Sequence, residues 1–227
     1  MNVEGKIVEF AKQFGPLSVF LYGSQATGET TSHSDWEVGL VFEDDKYVSR
    51  GDIKSKQDFD GANIYPFRLS EMKNYTLDTP FPKKFFVYEL MKTGKTIYGE
   101  DIMSQIEVPK ITKLDLAGAI RFEIGEAFCS FLTMRRGDEF LTGDEFSKSC
   151  LHGLKVLVAA RDGVLLTTYR EIYDYSKDFE LAEEYREIVE AAYGLRQGKE
   201  KIDESLVYKN MSFLGFVEKE ILAMEKE

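Results

Sequence analysis

The chain is short of the residues that mark secreted, zinc-bound and membrane-embedded proteins. Of its 227 residues only 2 are cysteines. Cys129 and Cys150 sit in separate helical patterns without metal-ligand spacing, so they read as reduced packing residues. No apolar run approaches the about 18 residues of a membrane helix, which argues against a membrane partner. The opening MNVEGKIVEFAKQFG lacks the basic-then-apolar order of an export signal, and a cytoplasmic location is expected. Positive charge is also scarce: 29 Lys and Arg face 40 Asp and Glu, a net charge of −11. Such a surface repels polyphosphate backbones and disfavours a long nucleic-acid partner. It tolerates a nucleotide that arrives with a divalent metal, or a cationic small molecule. There is no internal repeat and no low-complexity tract.

What is present divides into two textures. Residues 3–14 space Val3, Ile7, Phe10 and Ala11 at helical intervals until Gly15-Pro16 stops them. LSVFLYG (17–23) reads as a buried strand. DWEVGLVF (35–42) alternates, with Trp36, Val38, Leu40 and Phe42 on one face and Asp35, Glu37, Gly39 and Val41 on the other. Residues 43–61 are polar and are expected to form a loop or frayed hairpin. ANIYPFRL (62–69) predicts a third strand whose Pro66 favours an edge or bulge. A helix from 83 to Gly94 and a short strand at 96–98 complete this half. Beyond VPKIT (108–112) the pattern turns helical, at about 113–136, 144–161, 168–176, 179–194 and 205–226. The expected architecture is an α/β (α+β) domain with a small mixed sheet, 1–110, followed by an all-α helical bundle, 111–227.

The stretch LYGSQATGETTSHSDWEVGLVF (21–42) carries the chemistry. A hydrophobic strand stops at Gly23-Ser24, ten polar or small residues follow, and two acids reappear inside the next hydrophobic run. Side chains two apart on a strand share a side, so Asp35 and Glu37 converge. Unpaired, they would repel and raise each other's pKa. A hard divalent cation, Mg²⁺ or Mn²⁺, removes that conflict, with substrate phosphates completing its shell. Gly23 lets backbone N–H groups approach a phosphate, and Ser24 adds a hydroxyl. The grouping suits in-line attack on a metal-bound nucleoside triphosphate with pyrophosphate leaving. The bland alternative is a Gly-Ser turn followed by an exposed strand edge carrying two acids for solubility.

Tyr22-Gly23-Ser24, the spacer and Asp35-Trp36-Glu37-Val38 resemble the signature of the nucleotidyltransferase superfamily that includes DNA polymerase β. Ser34-Asp35 also matches its common lead-in. Within that superfamily the layout is similar to kanamycin (aminoglycoside) nucleotidyltransferases, through GSQATGETTSHSDWEVGLVF, PFPKKFFVYELMKTGKTIYGED and LLTTYREI. The resemblance implies metal binding by Asp35 and Glu37 and phosphate binding by Gly23 and Ser24. It also implies transfer of a nucleoside monophosphate from a triphosphate to a small-molecule hydroxyl, and a homodimer. It places a catalytic Glu on the first helix of the helical domain, where LAGAIRFEIGEAF offers Glu123 and Glu126. One departure stands out. The superfamily's third carboxylate belongs on the next strand, but ANIYPFRL supplies Asn63, with Asp58 and Asp60 just before it.

Helical geometry separates the two glutamates. Leu116, Ile120, Ile124, Ala127 and Phe131 define an apolar stripe; Glu123 falls roughly 60° from its centre and Glu126 about 120° away. Glu123 is thus expected at a half-buried edge, either as a base or as a partner for Arg121, Arg135 or another cation at the helix surface. His33 reads as an idle loop residue and His152 as a satisfied core or interface histidine. Lys83, Lys84, Lys155 and Arg161 read as solvated cations able to neutralise phosphate. Two other functions stay open: a regulatory, antitoxin-type nucleotidyltransferase, which resembles the first half only, and a nucleotide-binding relic without chemistry. A fused RNase-type helical domain is disfavoured, since neither histidine follows an arginine at that motif's spacing.

Overall fold

A computed structural model describes residues 2–30, 34–198 and 201–224. The chain forms two compact units, Met1–Lys110 and Ile111–Glu227. In the first, α1 (Val3–Lys12) leads into β1 (Ser18–Tyr22), the short α2 (Gly23–Thr27) and β2 (Trp36–Phe42). There follow α3 (Arg50–Lys56), β3 (Ala62–Arg68), α4 (Leu69–Lys73), α5 (Lys83–Thr93) and β4 (Lys95–Gly99). The sheet order is β3-β2-β1-β4, with β1 antiparallel to β2 and β4 and β2 parallel to β3, a small mixed sheet as expected.

Both faces of the sheet are covered, which is why β1 reads as continuously apolar. On one face Ile7, Phe10 and Ala11 of α1 share a core with Val19, Leu21, Val38, Leu40 and Phe42. On the other, Phe20, Tyr22, Val41 and Phe67 pack with Met72, Val87 and Leu90. The alternation read from DWEVGLVF is therefore the partition of β2 between two cores. Phe20 pairs in register with Gly39, and a Cβ at 39 would lie 2.1 Å from the Phe20 ring. Only a glycine lets that ring cross the neighbouring strand. Pro66 lies on the edge strand, where a missing N–H is tolerated.

Residues 43–61 depart from the expected loop or hairpin. Parallel neighbours require a crossover, and a hairpin would have made β2 and β3 antiparallel. The crossover contains α3, started by a reciprocal cap in which the Ser49 hydroxyl accepts from Asp52 N–H and the Asp52 carboxylate accepts from Ser49 N–H.

The second unit is a bundle of long helices: α6 (Lys113–Arg135), α7 (Glu139–Asp162), α8 (Tyr169–Ser176), α9 (Glu183–Arg196) and α10 (Glu204–Ala223). Helix α7 starts five residues before the expected 144 because Asp138 caps it, accepting from Leu141 N–H at 3.0 Å. Helix α9 starts later than 179. The guanidinium of Arg186 gathers the carbonyls of Ser176, Lys177 and Phe179, holding that connector out of helical conformation. Helix α10 ends at Ala223, and residues 225 and 226 of its expected span lie outside the described residues. Among the described residues no helix is long and apolar enough to cross a membrane. Both cysteines are free, Cys129 exposed and Cys150 buried.

Candidate active site

The antiparallel register of β1 and β2 sets Tyr22 opposite Glu37. The next residue, Gly23, turns the chain with φ +65°, and an ideal Cβ there would lie 1.8 Å from Glu37 Oε2. The two halves of the sequence motif are therefore in contact: the carboxylate occupies the space that any side chain at 23 would fill. Helix α2 is tied back by Gln25, whose amide donates to the Ser34 carbonyl at 3.3 Å, one residue before Asp35. Burial, and then the Glu37 carboxylate, push the Tyr22 phenol far above its ordinary pKa.

Asp35 lies one residue ahead of β2 rather than inside it, and its carboxylate is exposed. The chain enters the sheet when Trp36 N–H donates to the Gly61 carbonyl at 2.8 Å. Asn63 pairs in parallel register with Glu37, and its amide donates to Asp35 Oδ2 at 3.1 Å. Beside it opens a cavity of about 310 Å³ whose walls include Asp35, Asn63, Asp60, Arg50 and Lys54. Asp58 does not line it. The Arg50 guanidinium stands 4.2 Å from the centre of the Tyr65 ring, on the strand that carries Asn63. Among the described residues no set of three His, Cys, Asp or Glu side chains able to hold a metal ion is found.

In the second unit Glu123 is 4% exposed, deeper than the half-buried edge its helical angle implies. The reason is that α6 packs against both α7 and α10, so its buried arc is wider than one stripe. Its partner is neither Arg121, which pairs with Glu218 at 2.9 Å, nor Arg135, which covers the Phe131 ring. Glu123 Oε1 instead faces His152 Nδ1 at 3.6 Å, while Oε2 is buried without a hydrogen-bond partner. His152 is partly exposed and stacks on Tyr169, centroids 5.5 Å apart. It is thus the carboxylate's neighbour rather than a core histidine. A signal for this pair did exist: Glu123 and His152 lie equally far from the Gly137-Asp138 turn, and an antiparallel helical hairpin sets such residues face to face.

Glu126 is half-buried, and its pKa is raised by burial first, then by the Glu123 and Glu145 carboxylates, against the smaller opposing pull of Lys148 and His152. Of the candidate cations, Lys84 donates to the Lys110 carbonyl, Arg161 is held by Glu220 and the Glu180 carbonyl, Lys155 is buried, and Lys83 is exposed. His33 lies outside the described residues.

No protein-family model and no curated protein matches the chain. Among solved structures the chain is similar to the spectinomycin adenyltransferase AAD(9) from Enterococcus faecialis, crystallised with ATP and spectinomycin. The TM-score is 0.56 at 12% identity, over 96% of this chain and 99% of that one. This chain shares the fold of that adenyltransferase. The likeness spans both units, and at that identity it is one of fold alone. The Asn63 amide beside Asp35 and the Glu123–His152 pair are read from this chain's own geometry.

Two outcomes follow from these contacts. Gly23→Ala should lower the unfolding free energy in urea by about 1–2 kcal/mol, the cost of a left-handed non-glycine residue. An unchanged midpoint and slope would show that the turn is not constrained. For Glu126 the folded-state pKa exceeds the unfolded one, so stability falls as pH rises through and above the usual carboxylate range. Glu126→Gln should therefore raise the melting temperature at about pH 7 and leave it unchanged near about pH 3, where wild type is protonated in both states. A lower melting temperature at neutral pH would contradict that environment.

Proposed function

We propose that the protein is a divalent-metal-dependent nucleotidyltransferase that moves a nucleoside monophosphate from a triphosphate to a hydroxyl of a small acceptor. The observation that carries this reading is the Glu37 carboxylate packed on the left-handed, side-chain-free turn at Gly23, with Asn63, its register partner, donating to Asp35. Two hard carboxylates suit Mg²⁺ or Mn²⁺, which takes few protein oxygens and fills its shell from phosphates and water. When bound, such a cation neutralises phosphate charge and makes phosphorus more open to attack. Asp35 and Glu37 would hold it. Gly23, with no side chain, would leave the backbone N–H groups of the turn accessible to the triphosphate, and the Ser24 hydroxyl would donate to it.

In the helical unit Glu123 is the proposed base for the acceptor hydroxyl. Its Oε2 has no hydrogen-bond partner and so is open to accept a proton, and His152 faces its other oxygen at 3.6 Å. Glu126, with its raised affinity for a proton, is the alternative base. An aminoglycoside-like acceptor is supported by the fold likeness to the spectinomycin enzyme and by the net charge of −11, which favours a polycation. The regulatory reading concerns the first unit alone and gains nothing from a likeness that spans both. A nucleotide-binding relic is the second reading, favoured by the amide of Asn63 where the superfamily carries an acid.

Labelled ATP, GTP, CTP and UTP with Mg²⁺, incubated over a panel of aminoglycosides, test the proposal. One acceptor should gain a nucleotide with release of pyrophosphate, and Asp35→Asn should abolish the transfer. Triphosphate binding without transfer to any acceptor would leave the relic reading in its place. Glu123→Gln should lower kcat by about 10²-fold or more at unchanged nucleotide affinity, the loss expected of a general base. Equal losses in both quantities would make Glu123 structural.

A further inference from the structure

We infer that the nucleotide site holds one divalent cation rather than two, because Asn63 both replaces the acid a second cation would need and engages the Asp35 oxygen that would face it. The inference rests on the nucleotidyl-transfer reading and refines it. Parallel register places Asn63 beside Glu37, and side chains at paired positions of neighbouring strands project to the same face. The strand Ala62–Arg68 contains no acid at all. The orientation of the amide is fixed by its partner: a carboxylate only accepts, so Asn63 must turn its NH₂ toward Asp35 Oδ2, at 3.1 Å. A donor hydrogen and a metal cation on the same side of one oxygen repel each other. Asp35 Oδ1 and Glu37 would supply the protein oxygens for one small octahedral cation completed by phosphates and water.

The surroundings favour the same count. Arg50 lies over Tyr65, two residues along β3 from Asn63 and hence on the same face. Among the described residues it makes no ion pair. Arg50 and Lys54 line the cavity that Asp35 and Asn63 also line, with Asp60 the other acid in its walls. Fixed positive charge thus lines the cavity that Asp35 and Asn63 share, which disfavours a second divalent ion there.

The test counts metal without turnover. Wild type is equilibrated with excess Mn²⁺ and the α,β-methylene analogue of whichever triphosphate binds most tightly, then freed of unbound ligand, and Mn²⁺ per chain is measured by electron paramagnetic resonance. Wild type should hold one. Asn63→Asp should hold two, because the restored acid becomes a ligand and no longer donates to Asp35. Asn63→Ala should still hold one, with Mn²⁺ affinity lowered by about tenfold through loss of a charge-assisted hydrogen bond. Two ions in wild type, or one in Asn63→Asp, would overturn the inference while leaving the transfer reading intact. No ion in wild type would overturn both. The count on wild type decides the matter even if a variant fails to fold.

Discussion

The carboxylate of Glu37 rests where a side chain at position 23 would be, and this steric exclusion joins the two halves of the site. It requires a residue without a Cβ and with left-handed backbone, so only glycine serves. It also requires the strand register that sets Tyr22 against Glu37. A slip of one residue would turn both acids into the opposite core. The register is secured away from the site, where the Phe20 ring crosses Gly39 and stacks 5.9 Å from Phe67. Burial of β1 and β2 on both faces thus protects the placement of two charges that contribute nothing to the core.

The helical unit shows the complementary case, charge placed where packing alone would exclude it. Glu123 is enclosed because α6 contacts helices on two sides, and burial, then the Glu123 and Glu145 carboxylates, raise the pKa of Glu126 one turn away. Burying an unpaired carboxylate oxygen is unfavourable by about 1–3 kcal/mol or more, so such a group persists where it has a task. His152 offers the carboxylate a cationic partner when protonated, and the stacked Tyr169 fixes the ring's plane.

Much of this was legible in the residues, for identifiable reasons. Periodicity located the strands and long helices, since both express burial directly. The motif at 21–42 announced its acids because two carboxylates inside a hydrophobic run need explanation. Helix α3 was hidden, because seven residues held by a Ser49–Asp52 cap carry too short a period to see. The bond from Asn63 to Asp35 depends on a parallel pairing that sequence alone does not fix. The depth of Glu123 was underestimated because one helix seen alone shows a stripe, whereas its burial is set by two neighbours.

The central claim is that Asp35 and Glu37 form a cation site beside the Gly23–Ser24 turn. It is tested most directly by anomalous scattering from crystals grown with Mn²⁺ and a non-hydrolysable triphosphate. The account predicts a manganese peak about 2.1 Å from an oxygen of each acid, a bonding distance for a small hard cation, with phosphates lying over Gly23 and Ser24. A peak among other carboxylates, such as Glu126 and Glu145, or phosphates bound away from that turn, would contradict it.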